Sequence, residues 1–302
     1  MVPPQTRPDN DERLRLDFGV VGKHLFRIRE RHVADHLVPL ISSRAVATAK
    51  LDLVLRCIAL SPQHAGKRVP GLVLPQCSWE LLHDLSKGDQ GLGAVSPGMD
   101  PSVKVLKLKR KWVGQQLKRL EEMKLVRRIP RPGNRPQLLV LRDDGSGQPF
   151  DDPDGSRGNT YISILGSAIG SRALASWGAP ELSAYLAAMA AERSESRPGR
   201  SIEPGTGRWY RPLAWFADKD GLYGPSDRVR MGFSVPTLER GIAKLEASKL
   251  MSHRRILRNP RTNQRLRGPR NLYFNNFDSL SDKVKPLKPT ESVEFEEGFI
   301  EF

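Results

Sequence analysis

At 302 residues, with 49 Lys and Arg against 34 Asp and Glu, the chain carries a formal charge of +15 and is long enough for two domains of ordinary size. Its two cysteines, Cys57 and Cys77, form no Cys-x-x-Cys pair, which excludes a zinc finger or a disulfide framework. The N-terminal MVPPQTRPDNDER lacks the apolar core of a signal peptide, and the apolar run Leu182 to Ala191 is too short to span a bilayer. The expectation is a soluble cytoplasmic protein that makes no membrane contact.

In chain order, residues 1–13 read as a disordered N-terminus rich in Pro, Asp and Arg. A first domain is expected over 14–142. Alternating Leu14, Leu16, Phe18 and Val20 predict a strand, and a helix is expected over Ile28 to Ile41. The next helix spans Ala45 to Leu60, with Leu51, Val54, Leu55 and Ile58 on one face. Beyond the Pro/Gly-rich break at Pro62 to Pro70, Trp79, Leu82 and Leu85 predict a short helix from Ser78 to Leu85. Lys87 to Pro101 reads as a loop, and a helix over Lys109 to Met123 follows.

Residues 143–159 hold Asp, Gly, Pro and Ser with almost nothing apolar, and read as an acidic flexible linker. A second domain is expected over 160–277. It has a strand at Tyr161 to Leu165 and a helix from Pro180 to Glu192 whose core face is Leu182, Tyr185, Leu186 and Met189. After a polar loop, Arg193 to Gly207, the apolar stretch Tyr210 to Ala217 predicts another short helix. Residues 278–302 form a tail with an acidic, aromatic end, ESVEFEEGFIEF.

The chain contains a repeat. In MGFSVPTLERGIAKLEASKLM, Met231 to Met251, Ser234 is placed to cap a helix and Pro236 sits in its first turn. Leu238, Ile242 and Leu245 form a buried stripe, which leaves Thr237, Arg240, Gly241 and Lys244 for the solvent side. LKLKRKWVGQQLKRLEEMKLV, Leu106 to Val126, aligns with this stretch without a gap. Val113, Leu117 and Leu120 match the stripe, and Glu121, Lys124 and Leu125 match Glu246, Lys249 and Leu250 identically. Each copy runs into a strand, a basic turn and a second strand: VRRIPRPGNRPQLLVL, Val126 to Leu141, and HRRILRNPRTNQRLRGPRNLYF, His253 to Phe274.

Strand, helix, strand, basic turn, strand resembles the order in which winged-helix DNA-binding domains present a recognition helix and wing. The Leu-Glu-x-x-Lys-Leu endings stand where that fold usually has Leu-Glu-x-x-Gly-Leu. Lys124 and Lys249 depart from the pattern, at a cost of ~1 kcal/mol each in the left-handed conformation that closes such a helix. The resemblance implies an α+β, mainly helical fold with two winged-helix domains in tandem. In length and architecture the chain resembles the iteron-binding plasmid replication initiators, which bind DNA repeats at an origin and have no catalytic site.

Charge is concentrated on the repeats. Lys104 to Arg142 carries a net +11 and Arg228 to Arg270 a net +10, so the rest of the chain is −6. A polyanion partner is the simplest physical account, and double-stranded DNA is the expected one. In the first copy the candidate DNA contacts are Lys109, Arg110, Lys111, Trp112, Gln115 and Arg119, with Arg127, Arg128, Arg131 and Arg135 on phosphates. In the second they are Thr237, Arg240 and Lys244, with Arg254, Arg255, Arg258, Arg261, Arg265 and Arg267 on phosphates. Gln and Arg suit bidentate reading of adenine and guanine edges.

Catalytic constellations are not evident. There is no Gly-x-x-x-x-Gly-Lys-Ser/Thr loop and no His-x-His pair. His32 and His36 have a spacing that can bind a metal, but the sequence offers no third ligand. No cofactor is expected. The sequence therefore points to a sequence-specific duplex-DNA binder that initiates replication of a plasmid or mobile element without catalysis. A winged-helix transcriptional regulator is the alternative, and an RNA-binding protein a third reading. The acidic tail, poorly suited to DNA, is expected to meet a protein surface, on a partner or on this chain itself.

Overall fold

The computed structural model describes residues 25–60, 72–73, 79–87, 101–132, 134–156, 159–195, 208–209, 212–217, 231–259 and 263–284. The expected strand at Leu14 to Val20, residues 88–100 of the expected loop and the acidic end of the tail lie outside the described residues. Pro101, expected to end the loop, instead opens a helix that runs to Glu122 and so starts eight residues before the expected Lys109. The fold is mixed α+β and mainly helical, with three small antiparallel sheets among the described residues set between the helices.

Chain entry is through β1 (Leu25–Arg29), which buries Phe26 and Ile28 by simple alternation. The helix expected from Ile28 starts two residues later. This α1, residues 30–42, is α-helical over Glu30–His32 and Val38–Ser42, around a π-helical turn at Val33–Leu37. The irregular turn lies just before Pro39, whose ring and missing amide proton interrupt a regular helix.

Two units of like order follow. The first is α2 (Val46–Ala59), β2 (Leu72–Val73), α3 (Trp79–Ser86), α4 (Pro101–Glu122), β3 (Val126–Arg131) and β4 (Asn134–Val140). The second comes after β5 (Tyr161–Leu165), α5 (Gly166–Gly170) and α6 (Ala173–Ser176). It comprises α7 (Ala179–Glu195), β6 (Arg208–Trp209), α8 (Ala214–Ala217), α9 (Val235–Ala247), β7 (Met251–Arg258) and β8 (Arg265–Asn275). Both sheets place the short early strand beside the last one, in the orders β2-β4-β3 and β6-β8-β7. Both hairpins shift register near their tips, between Ile129 and Arg131 and between Ile256 and Arg258.

The ends of α4 and α9 are built alike. Lys124 and Lys249 have φ of 56° and 61°, the left-handed conformation. The Leu125 amide donates to Leu120 O and the Leu250 amide to Leu245 O, each at 2.9 Å. Lys124 and Lys249 donate to Glu121 O and Glu246 O at 2.9 Å. These are the paired bonds of a Schellman closure, and they offset the strain of a non-glycine residue there.

The two units are joined by more than sequence. β1 pairs antiparallel with β5, from Leu25 opposite Leu165 to Arg29 opposite Tyr161. Buried apolar side chains from Phe26 to Leu280 form one continuous cluster. The composition of 143–159 reads as a flexible linker, yet the fold packs its start. Asp143 is 1% exposed. It accepts a 2.8 Å bond from the Arg29 amide, is ion-paired with the Arg29 guanidinium, and its carbonyl lies 2.9 Å from His32 Nδ1. On the other side of that imidazole, Nε2 lies 2.6 Å from Asp52, which also pairs with Arg56. The polarity that suggests solvent is here compensated charge by charge inside the protein.

Candidate nucleic-acid interface

The candidate site is the pair of helix–hairpin units, α4 with β3–β4 and α9 with β7–β8. In α9, Ser234 caps the helix, its Oγ accepting from the Thr237 amide at 3.3 Å. Leu238, Ile242 and Leu245 are buried as the stripe predicts, and each contributes about 2 kcal/mol by leaving water.

Gly241 corrects the sequence-based orientation of this helix. It faces α7 and not solvent: a Cβ at that position would lie 2.0 Å from Pro180 O and 2.8 Å from Ala184 Cβ. The matching residue in the first unit, Gln116, is likewise buried and accepts from Thr48 Oγ1 of α2 at 2.6 Å. The exposed face of α9 is therefore turned toward Pro236, Glu239, Arg240, Ala243 and Ala247. Thr237 is half-buried, and Lys244 pairs with Glu181 of α7 at 3.0 Å. Arg240 stays exposed, its guanidinium laid along its own helix, with Nε donating to Pro236 O at 3.2 Å.

In the first unit the exposed face of α4 carries Lys111, Gln115, Lys118 and Arg119. The other candidates on that helix are occupied. Lys109 Nζ donates to Asp84 of α3 at 2.7 Å, and Arg110 pairs with Glu80 of the same helix. Trp112 is half-buried edge-on against His83, at 4.9 Å between ring centroids. These three side chains hold α3 to α4. Lys118 was missed by the sequence reading; its signal is its place one turn after Gly114 and Gln115, away from Val113, Leu117 and Leu120.

The hairpins differ in charge. Glu121 reaches from the end of α4 to Arg128, accepting its amide at 2.9 Å and its Nε at 2.8 Å. The bond from Arg128 holds the Glu121 carboxyl below its ordinary range, and Glu121 raises Arg128 in turn. The second unit repeats the clamp with Glu246 and His253. Arg127 is exposed in the first hairpin, and Arg254, Arg255, Arg258 and Arg265 are exposed in the second. Arg261 lies outside the described residues, as do the side chains of Arg131, Arg135 and Arg267.

Comparison with protein-family models, curated proteins and solved structures finds no match to this chain. Among the described residues, no three His, Cys, Asp or Glu side chains group as a metal site would require. His32 and His36 are part of the packed junction, with ring centroids 5.4 Å apart. Cys57 is buried, and burial pushes its thiol up to about 12, far from a nucleophilic thiolate. No described helix is long and apolar enough to cross a membrane.

Proposed function

We propose that the chain is a sequence-specific duplex-DNA-binding protein of two tandem winged helices, and that it initiates replication of a plasmid or mobile element without catalysis. The observation that carries this reading is the twice-repeated order of helix, strand, helix, helix and hairpin, with the short strand beside the last one in both sheets. A basic exposed helix face precedes an arginine-bearing hairpin in the first unit; in the second, the exposed helix face carries Arg240 and the arginines gather on the hairpin. Helix α9 would present Arg240 to base edges, and α4 would present Gln115 and Arg119, while Arg127, Arg254, Arg255 and Arg258 meet phosphates.

Selection of bound sites from random duplexes tests the reading. The expected result is two unlike half-sites, because the two exposed helix faces differ. Arg240→Ala should cost ~1–3 kcal/mol at the selected site and relax one base position. Equal loss on every sequence would place Arg240 on phosphate, and absence of any selected site would refute sequence-specific binding. A plasmid bearing the selected site that replicates only when the protein is supplied distinguishes an initiator from a transcriptional regulator.

A further inference from the structure

The second hairpin has more positive charge than the described residues compensate. Met251 to Asn275 contains seven arginines and no acidic residue. Among the described residues, Arg254, Arg255, Arg258, Arg265 and Arg270 have no carboxylate partner, whereas Arg128 in the first hairpin is held by Glu121.

The same hairpin offers apolar surface. Leu257 is 64% exposed, and with half-buried Ile256 and the buried Leu272 beneath them it lines an open groove of about 490 Å³ whose other walls are Arg254, Arg258, Asn259 and Asn263. The register sets Trp209 beside Tyr273, both buried in the core, so Phe274, Leu272, Arg254 and Ile256 belong to the opposite face of the sheet. On that face the Arg254 guanidinium lies 5.5 Å from the Phe274 ring centroid. The groove thus combines an apolar floor with an uncompensated cationic rim.

One segment of this chain has the complementary chemistry. Residues 291–302 contain five Glu, five of Val, Phe or Ile, and no basic residue. The chain leaves β8 at Asn275 and passes through a 3₁₀ turn, Phe277–Lys283, so this segment follows the second hairpin directly in the sequence. Extended, residues 285–302 reach about 60 Å, whereas a strand the length of β8 spans about 37 Å. The whole hairpin is within reach.

We propose that residues 291–302 dock in the groove formed by Ile256, Leu257 and Leu272. Phe295 and Phe299 enter the apolar floor, the glutamates meet Arg254 and Arg258, and duplex DNA competes with this segment for the hairpin. The competition rests on the DNA-binding reading; the docking does not. A short tether gives an effective concentration of about 1 mM, so a segment with an intrinsic Kd of about 0.1 mM occupies the groove roughly nine-tenths of the time. Releasing it should raise apparent DNA affinity about 10-fold.

The test uses the full chain with the photo-crosslinker p-benzoylphenylalanine in place of Phe299, irradiated without DNA at low salt. The expected product is an intramolecular cross-link to residues 254–258 or 270–274, lost in Leu257→Asp, a change at an exposed position that leaves the core intact. Cross-links elsewhere, only between two chains, or absent altogether would overturn the docking. In a second measurement, all five glutamates of the segment are changed to Gln and binding to a duplex probe is compared with wild type. A 10-fold gain supports competition. Unchanged affinity with the cross-link retained overturns competition alone. Binding by neither protein, with the cross-link retained, overturns the DNA-binding reading and with it the competition, leaving the docking intact.

Discussion

Gly241→Ala separates two orientations of α9 by the sign of its effect. If the residue faced solvent, alanine would stabilise the protein by about 1 kcal/mol through helix propensity. In the fold, its Cβ would lie 2.0 Å from Pro180 O, 2.6 Å from Pro180 C and 2.8 Å from Ala184 Cβ. Two of these atoms are backbone at the start of α7, so no side-chain rotation relieves the contact. Helices α7 and α9 must separate by about 1 Å, which forfeits a quarter to a half of each dispersion contact across the interface. Overpacking of this severity costs about 3 kcal/mol, the upper end of the usual range. Less the propensity gain, the net loss is about 2 kcal/mol. Urea unfolding followed by circular dichroism should show the midpoint falling by roughly 1 M, for a slope of about 2 kcal/mol per M. An unchanged or raised midpoint would refute the packing of Gly241 on α7.

Lys249→Gly relieves ~1 kcal/mol of left-handed strain and gives back part of it as unfolded-state entropy; a thermal midpoint raised by one to a few degrees, about 0.5 kcal/mol, is expected, and a fall would contradict the φ of 61°. Asp143→Asn leaves the 3%-exposed Arg29 without its innermost counter-charge, and should lower unfolding free energy by about 3–5 kcal/mol; a neutral result would show the segment to be free of the junction. Lys50 is buried with its Nζ 2.9 Å from Ala175 O, and burial lowers its pKa from 10.5 to about 8. The unfolded chain therefore binds the additional proton between those values, and stability rises with pH across that window. Lys50→Met removes a penalty of about 3 kcal/mol and a hydrogen bond worth about 1 kcal/mol. It should stabilise by about 2 kcal/mol at pH 7 and lose that advantage above pH 10.5, as denaturation at both pH values would show.

What the sequence made legible was local. The stripe Leu238, Ile242 and Leu245, the Ser234 cap and the turn at Lys249 are set by residues within one helix and its ends, and each is found where the spacing puts it. The pairing of β1 with β5 was not legible, because nothing near Leu25 names a partner in the other half of the chain. Asp143 was misread because composition scores a carboxylate as solvent-seeking, whereas its fate depends on Arg29 and His32 being brought to it from β1 and α1. The orientation of α9 did have a signal. A glycine in mid-helix costs about 1 kcal/mol and calls for a packing reason, and Gly241 supplies one by admitting α7.

The near-equal net charges of the two repeats conceal an unequal distribution. The +11 of Lys104 to Arg142 omits Glu80, Asp84 and Asp144, which the fold brings against Arg110, Lys109 and Arg142. Arg128 is further neutralised by Glu121. A cation held against a carboxylate projects little field beyond a Debye length of about 8 Å at physiological salt. In the second hairpin Arg254, Arg255 and Arg258 have no such partner among the described residues. On the proposed DNA-binding reading, attraction for a polyanion would be concentrated on β7–β8, and the first unit would contribute through the exposed face of α4. If the chain binds DNA as proposed, neutralising those three arginines should flatten the salt dependence of that binding by about one unit of slope per lost contact. Neutralising Arg110 and Arg128 should lower stability and leave the slope nearly unchanged. Equal slopes for the two sets would mean that the internal ion pairs open on binding, and that the free charge is shared between the repeats after all.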